Sequence, residues 1–279
     1  MHDRFRSDGA TCRTSGRTKS VRWVIALTVV ALVSACGKAS APRAAQQRPV
    51  LPANISAAQM ARLPVATTFG KSPGAPQDED PFGSESGIVL HPTATRVVYA
   101  RPGGPPVATL PATELGSPTW VPVVQSQPAW DRILLPTRPN RSTGWIYLPD
   151  GGLRTAYSAY RIRINLATYR LTVFDAGRSL GSWTVAEGAA GTPTPTGRTF
   201  LLASLSPDHP TYSPLILPLG VHSDTLTTYG GGPGTVGLHG WPDEAVFGRA
   251  VSHGCVRVPA AALRVLSQVP LGSPVVIVS

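Results

Sequence analysis

The segment Ser252-His253-Gly254-Cys255-Val256-Arg257 places a thiol two residues after a histidine and two before an arginine. A second histidine, His239, stands beside Gly240, sixteen residues ahead of the thiol. Acyl transfer by cysteine requires a thiolate, a base to take its proton, and donors for the oxyanion. A nearby imidazole or cation is expected to lower the thiol pKa and supply that thiolate. His239 ends a short β-type run before a glycine, so its ring can reach the next strand end, and we assign it as the base. In an extended segment His253, Cys255 and Arg257 share one face. Arg257 then suits a substrate carboxylate. Gly254 lets the backbone turn, and the N–H groups of Gly254 and Cys255 are the expected oxyanion donors. Two other readings stand beside this one. An isolated cysteine is commonly an inert buried side chain. His239, His253 and Cys255 also make three zinc ligands, although a step of fourteen positions from one histidine to the next is an unusual zinc spacing.

The elements that must hold these residues are read from about Ser158 onward. Tyr160, Ile162, Ile164 and Leu166 alternate with Arg161, Arg163 and Asn165, a half-buried strand of period two. Leu171–Phe174 and Ser179–Ala186 continue it as two hairpins. A rigid Gly-Thr-Pro-Thr-Pro-Thr-Gly loop leads into a strand over Arg198–Ser204. Residues 205–235 hold five prolines and a Gly-rich run and read as a long loop, of the kind that forms lids. Tyr212, His222 and Tyr229 in it are candidates for substrate contact or for plain loop packing. Val236–His239 is a short strand. Pro259–Gln268 is the one helix, with proline at its start, and Val275–Val278 is a closing buried strand.

Ahead of this, residues 87–155 alternate short β runs with turn clusters such as Arg138-Pro139-Asn140-Arg141. Trp130, Leu135-Pro136, Arg138-Pro139-Asn140 and Gly144-Trp145-Ile146 resemble bacterial SH3-like modules found beside cell-wall enzymes. The tryptophans read as core or as a ligand platform. Residues 36–86, rich in Ala, Pro, Ser and Gln, show no apolar period and read as a disordered tether reaching roughly 35–45 Å. Residues 1–35 read as a signal peptide, with a basic start and a thirteen-residue apolar run over 23–35, too short for a membrane span. Val33-Ser34-Ala35-Cys36 resembles the lipobox of bacterial lipoproteins, which implies lipidation of Cys36; the other reading is a plain signal peptide. The chain's three cysteines are Cys12, Cys36 and Cys255, so Cys255 is left without a disulfide partner in an oxidising compartment. The net charge of +10 includes +4 from residues 1–35 and forms no basic stripe, so nucleic acid is not an expected partner.

The order of histidine and cysteine narrows the chemistry. Papain-like and NlpC/P60 hydrolases place cysteine first, and the Thr-Leu-x-Thr-Cys run of sortases is absent. His239-Gly240, the hexapeptide at 252–257 and Pro193-Thr194-Pro195-Thr196-Gly197-Arg198 together resemble the YkuD-type L,D-transpeptidase domain, over about residues 158–279. The resemblance implies a mainly β fold: a small SH3-like barrel, then a β-sandwich-like catalytic domain over 156–279 with one short helix after the cysteine. It implies a Cys255 thioester with peptidoglycan stem peptides, resolved by an amine into a 3→3 cross-link. His239 would be the base, its ring oriented by a carbonyl near Gly240. Ser252, His253 and Arg257 would support the site. No cofactor is implied, and covalent inhibition by carbapenems is. The implied place is the outer face of the cytoplasmic membrane, held there through Cys36 and facing the wall. The alternatives are an L,D-carboxypeptidase, in which water resolves the same intermediate, and a non-catalytic wall-binding lipoprotein.

Overall fold

A computed structural model of the chain describes residues 49–279. The signal segment, Cys36 and the first part of the expected tether lie outside the described residues. The fold is mainly β, and its longest helix is one of two short ones.

The first module is antiparallel. Its main strands are β1 (Ile88–Pro92), β2 (Arg96–Tyr99) and β3 (Pro106–Leu110). After a small hairpin of β4 (Thr113–Glu114) and β5 (Ser117–Pro118) come β6 (Val121–Gln127), β7 (Trp130–Leu134), β8 (Thr143–Tyr147) and β9 (Leu153–Tyr157). The sheet order is β3-β2-β8-β7-β6-β1-β9. Leu90, Val98, Val123, Ile133 and Ile146 fill one core. Trp130 and Trp145 are buried with Tyr99 and Tyr147, Trp130 meeting Tyr99 edge-on at 5.4 Å. The tryptophans are therefore core.

The second module opens with β10 (Tyr160–Asn165), β11 (Arg170–Asp175), β12 (Arg178–Thr184) and the two-residue β13 (Glu187–Gly188). It continues with β14 (Gly197–Phe200), β15 (Ile216–His222), β16 (Thr235–Gly240), β17 (Ala250–Ser252), β18 (Val256–Val258) and β19 (Pro274–Val278). A five-stranded sheet, β12-β11-β10-β19-β14, faces a three-stranded one, β15-β16-β18. Ile162 and Ile164 point inward and Arg161 and Arg163 outward, as the alternation requires. Two α-helices are present among the described residues, α1 (Ala57–Met60) and α2 (Ala260–Leu266). The second sets Ala262, Leu263 and Leu266 into the core beside β16.

Two expectations need correction. Residues 205–235 are not one loop: β15 runs through them and pairs with β16, Leu217 opposite Leu238. Pro218 hid it, because proline interrupts a ladder; here the strand is at a sheet edge, where proline is tolerated. The described part of the expected tether is not loose either. Residues 64–86 form a strap across both modules. Backbone bonds hold it: Ala66 N–H to Thr109 O at 2.7 Å, Ser72 N–H to Arg138 O at 2.8 Å and Asp78 N–H to Arg141 O at 2.8 Å. Ala66, Thr68 and Ser72 are buried. Asp78 closes a bidentate pair with Arg198 of β14 at 2.7 and 2.8 Å, both side chains buried. A segment pinned through its backbone needs no apolar period, so composition alone reads it as disordered.

Candidate active site

Two strands place the reactive side chains. β16 and β18 are parallel neighbours, with Leu238 opposite Val256 and His239 opposite Arg257. Leu238 and Val256 are fully buried in the core. Alternation then turns His239, Arg257 and Cys255 to the opposite face. They meet in a cleft of about 460 Å³, lined also by Tyr212, Tyr229, Trp241 and Ser252.

The Cys255 turn is held from the side by the proline loop. Gly254 has φ +115, a region that L side chains avoid. Ser252 Oγ accepts the Gly254 N–H at 3.1 Å and donates to the Cys255 carbonyl at 2.5 Å. Thr192 Oγ1 donates to Ser252 O at 2.9 Å, and Thr194 Oγ1 to Gly254 O at 2.8 Å. Thr194 Oγ1 also accepts the Gly188 N–H at 2.9 Å. A Cβ at Gly188 would stand 2.2 Å from Thr192 O, so only glycine lets the loop close. The Thr-Pro repeat is thus a row of hydroxyls stiffened by proline. One expectation does not hold: the Gly254 N–H is already engaged by Ser252.

His239 Nδ1 lies 2.8 Å from the Gly240 carbonyl oxygen. A carbonyl only accepts, so Nδ1 carries the proton and the neutral ring keeps its lone pair on Nε2. Gly240 is fixed in turn, its N–H donating to Ser213 Oγ at 2.8 Å. Burial holds the His239 pKa below its ordinary 6.5; the Gly240 bond opposes that and the Arg257 charge adds to it. Burial also pushes the Cys255 thiol up from its ordinary 9.0, against the smaller pull of the Gly237 N–H and of Arg257. The expected lowering by neighbouring charge is outweighed by desolvation. Near neutral pH the pair rests as thiol and neutral imidazole. Arg257 stacks its guanidinium 3.6 Å from the centre of the Trp241 ring. Tyr212 meets His239 edge-on at 4.9 Å.

The other sequence candidates separate. The turn at Gly254 breaks the extended geometry, and His253 sits exposed at the rim, stacked on Tyr229 at 4.8 Å. His239, His253 and Cys255 are not brought together as a metal-ligand cluster among the described residues. Tyr212 and Tyr229 line the cleft. His222 does not; it is buried, its Nε2–H donating to Thr68 O at 2.7 Å. Sequence reasoning missed Phe69 and Leu115, which also line the cleft. It read Arg138 and Asn140 as turn residues within the SH3-like pattern, yet both hold the segment after β15. Long-range side-chain bonds of this kind leave no period to detect.

Solved structures of low identity are similar to parts of the chain. L,D-transpeptidase 3 from Mycobacterium tuberculosis, in complex with a faropenem-derived adduct, is 16% identical over 57% of this chain and 72% of its own, with a TM-score of 0.37. An L,D-transpeptidase from Mycobacterium smegmatis is 16% identical over 57% of this chain and 99% of its own, at 0.35. One from Stackebrandtia nassauensis is 18% identical over 44% and 57%, at 0.35. No curated protein matches the chain. Residues 159–277, which contain Cys255, His239 and the loop that braces them, match the YkuD family of L,D-transpeptidase catalytic domains.

Proposed function

We propose that this chain is a peptidoglycan L,D-transpeptidase that forms 3→3 cross-links through a thioester on Cys255. The observation that carries the reading is the His239 Nδ1–Gly240 O bond beside a cleft thiol: it fixes the one tautomer that can accept a proton at Nε2.

In this reading the Cys255 S–H gives its proton to His239 Nε2 as sulfur attacks the carbonyl of the third stem residue. The C–N bond to the fourth residue breaks, and His239 returns the proton to the departing amine. The acceptor's side-chain amine then attacks the thioester, loses a proton to His239, and expels the thiolate, which is reprotonated. Arg257 holds the carboxylate of the leaving residue. Its ring stacking on Trp241 fixes the guanidinium plane for that contact. The Cys255 N–H, rather than that of Gly254, is the oxyanion donor from this turn. The same covalent chemistry makes Cys255 the site of carbapenem acylation. Lipidation at Cys36 would place the enzyme on the outer face of the membrane.

Incubation with disaccharide-tetrapeptide, followed by mass spectrometry, tests the reading. Cross-linked dimer that disappears in Cys255→Ala supports it. Tripeptide without dimer would replace it with an L,D-carboxypeptidase, and no product from the unmodified protein would leave a wall-binding role.

A further inference from the structure

The cleft is not built by residues 159–277 alone. Phe69 of the strap and Leu115, between β4 and β5, line it together with Cys255. Phe69 is 65% exposed, an aromatic ring presented to solvent from an otherwise anchored segment. Its neighbour Thr68 is held on every side. The Thr68 N–H donates to the Glu114 carboxylate, and its hydroxyl meets Thr235 Oγ1. His222 Nε2 lies 2.7 Å from the Thr68 carbonyl and 3.0 Å from its hydroxyl. Thr68 is 1% exposed, so Phe69 is carried on a fixed point rather than on a loose coil.

That point lies at one end of the cleft. One face of β16 and its extension presents, in order, Thr235, Gly237, His239 and Trp241. Cys255 precedes the Leu238–Val256 pair by one residue, which sets it beside Gly237. The cleft therefore has two arms about the thiol. Toward Trp241 it holds Arg257, the one Arg or Lys among its described lining residues. Toward Thr235 it holds Phe69 and Leu115 and no charged side chain.

We propose that Phe69 and Leu115 form the subsite for the acyl half of the donor stem, the residues upstream of the attacked carbonyl that stay on the enzyme in the thioester. The inference rests on the transpeptidase reading above. The terminal carboxylate of the donor belongs to the leaving residue, which takes the Arg257 arm and its cation. Chain direction then sends the preceding residues into the other arm. There, the backbone and the aliphatic carbons of the first two stem residues, beyond the charged side chain of the third, meet a phenyl and an isobutyl surface. The first half of the chain thereby contacts substrate directly.

The test uses the full chain with Cys255→Ala, which binds without reacting. Two probes are titrated by calorimetry: the disaccharide-tetrapeptide, and a dipeptide of its third and fourth residues alone. Adding Phe69→Ala is expected to weaken tetrapeptide binding about tenfold, the worth of roughly half a covered phenyl surface, and to leave the dipeptide unchanged. Phe69→Leu should recover most of the loss. Because Phe69 is exposed, its removal leaves the melting temperature in place, which the same samples report. Unchanged tetrapeptide binding, equal losses for both probes, or no binding of either probe by the parent overturns the subsite. If binding depends on Phe69 but the unmodified enzyme forms no thioester, the transpeptidase reading falls and Phe69 stands as a contact for stem peptide bound without reaction.

Discussion

The Asn140 side chain completes the backbone of His222 as a neighbouring strand would: its Oδ1 accepts the His222 N–H at 2.9 Å and its Nδ2 donates to the His222 carbonyl at 2.7 Å. Asn140 belongs to the first module and His222 ends β15 of the second. Two residues earlier, the Arg138 guanidinium donates to the carbonyls of Ser223, Leu226 and Pro233 at 3.0–3.1 Å. Residues 223–234, which carry Tyr229 to the cleft, hang on these two side chains. Asn140→Ala is expected to cost about 1–3 kcal/mol of stability by leaving buried backbone groups unpaired. It should lower kcat/KM for donor acylation about tenfold, while alkylation of Cys255 by iodoacetamide changes little. Equal effects on both reactions would mean that Asn140 supports the thiol itself, not the segment that carries Tyr229.

The resting thiol–imidazole pair sets the pH dependence. The His239 pKa is below 6.5 in the fold, so the acid limb of donor acylation should fall below that value. The Cys255 pKa is above 9.0, so alkylation without substrate should still be rising at pH 9. The Arg257 charge lowers both groups. Arg257→Met should therefore move the acid limb and the thiol titration to higher pH together. Rate profiles for wild type and variant, measured with donor and with iodoacetamide, check both signs. Movement of only one limb would separate the two groups from a shared charge.

Glu114 gives a stability signature. Burial raises its carboxyl from 4.5 to about 7, against the pull of the Thr68 N–H. In the folded state it binds a proton more tightly than in the unfolded chain, so its contribution is complete below pH 4.5 and is lost as pH rises through about 7. Glu114→Gln keeps the acceptor for Thr68 and removes the ionisation. It should raise the melting temperature at pH 8 and leave it nearly unchanged at pH 5. The same increment at both pH values would place the effect in packing, not charge.

The Asp78–Arg198 pair ties the strap to β14 within the buried region. Asp78→Ala strands a buried guanidinium and is expected to cost about 3–5 kcal/mol. Urea unfolding checks it, with the midpoint falling at unchanged slope. A loss under 1 kcal/mol would show that the strap contributes little to the fold.

How much was legible depended on the range of the signal. Cys255, His239, Ser252 and Gly254 lie in short motifs, and the alternation of Ile162 and Ile164 with Arg161 and Arg163 is a local period; both survive without tertiary information. β15 was lost because Pro218 and the surrounding prolines outweigh Leu217, Leu219 and Val221 in any local window. The strap was lost because its order comes from partners far away in sequence, Arg138, Arg141 and Arg198. The thiol pKa was misjudged in direction for a related reason: Arg257 is visible two residues away, and the depth of the cleft is not.

Phe200 and Leu202 extend this dependence to the core. Phe200 ends β14 of the second module and Leu202 follows it, yet both are fully buried among Leu90, Ile133 and Ile146 of the first. A border near residue 156 is thus a border in sequence only. Excised at that point, the reacting half would set a phenyl and an isobutyl group in water where the other half had covered them. The two halves are better regarded as scion and rootstock: the segment with the thiol is grafted onto its neighbour, and transplanting its chemistry to another protein means carrying the root along.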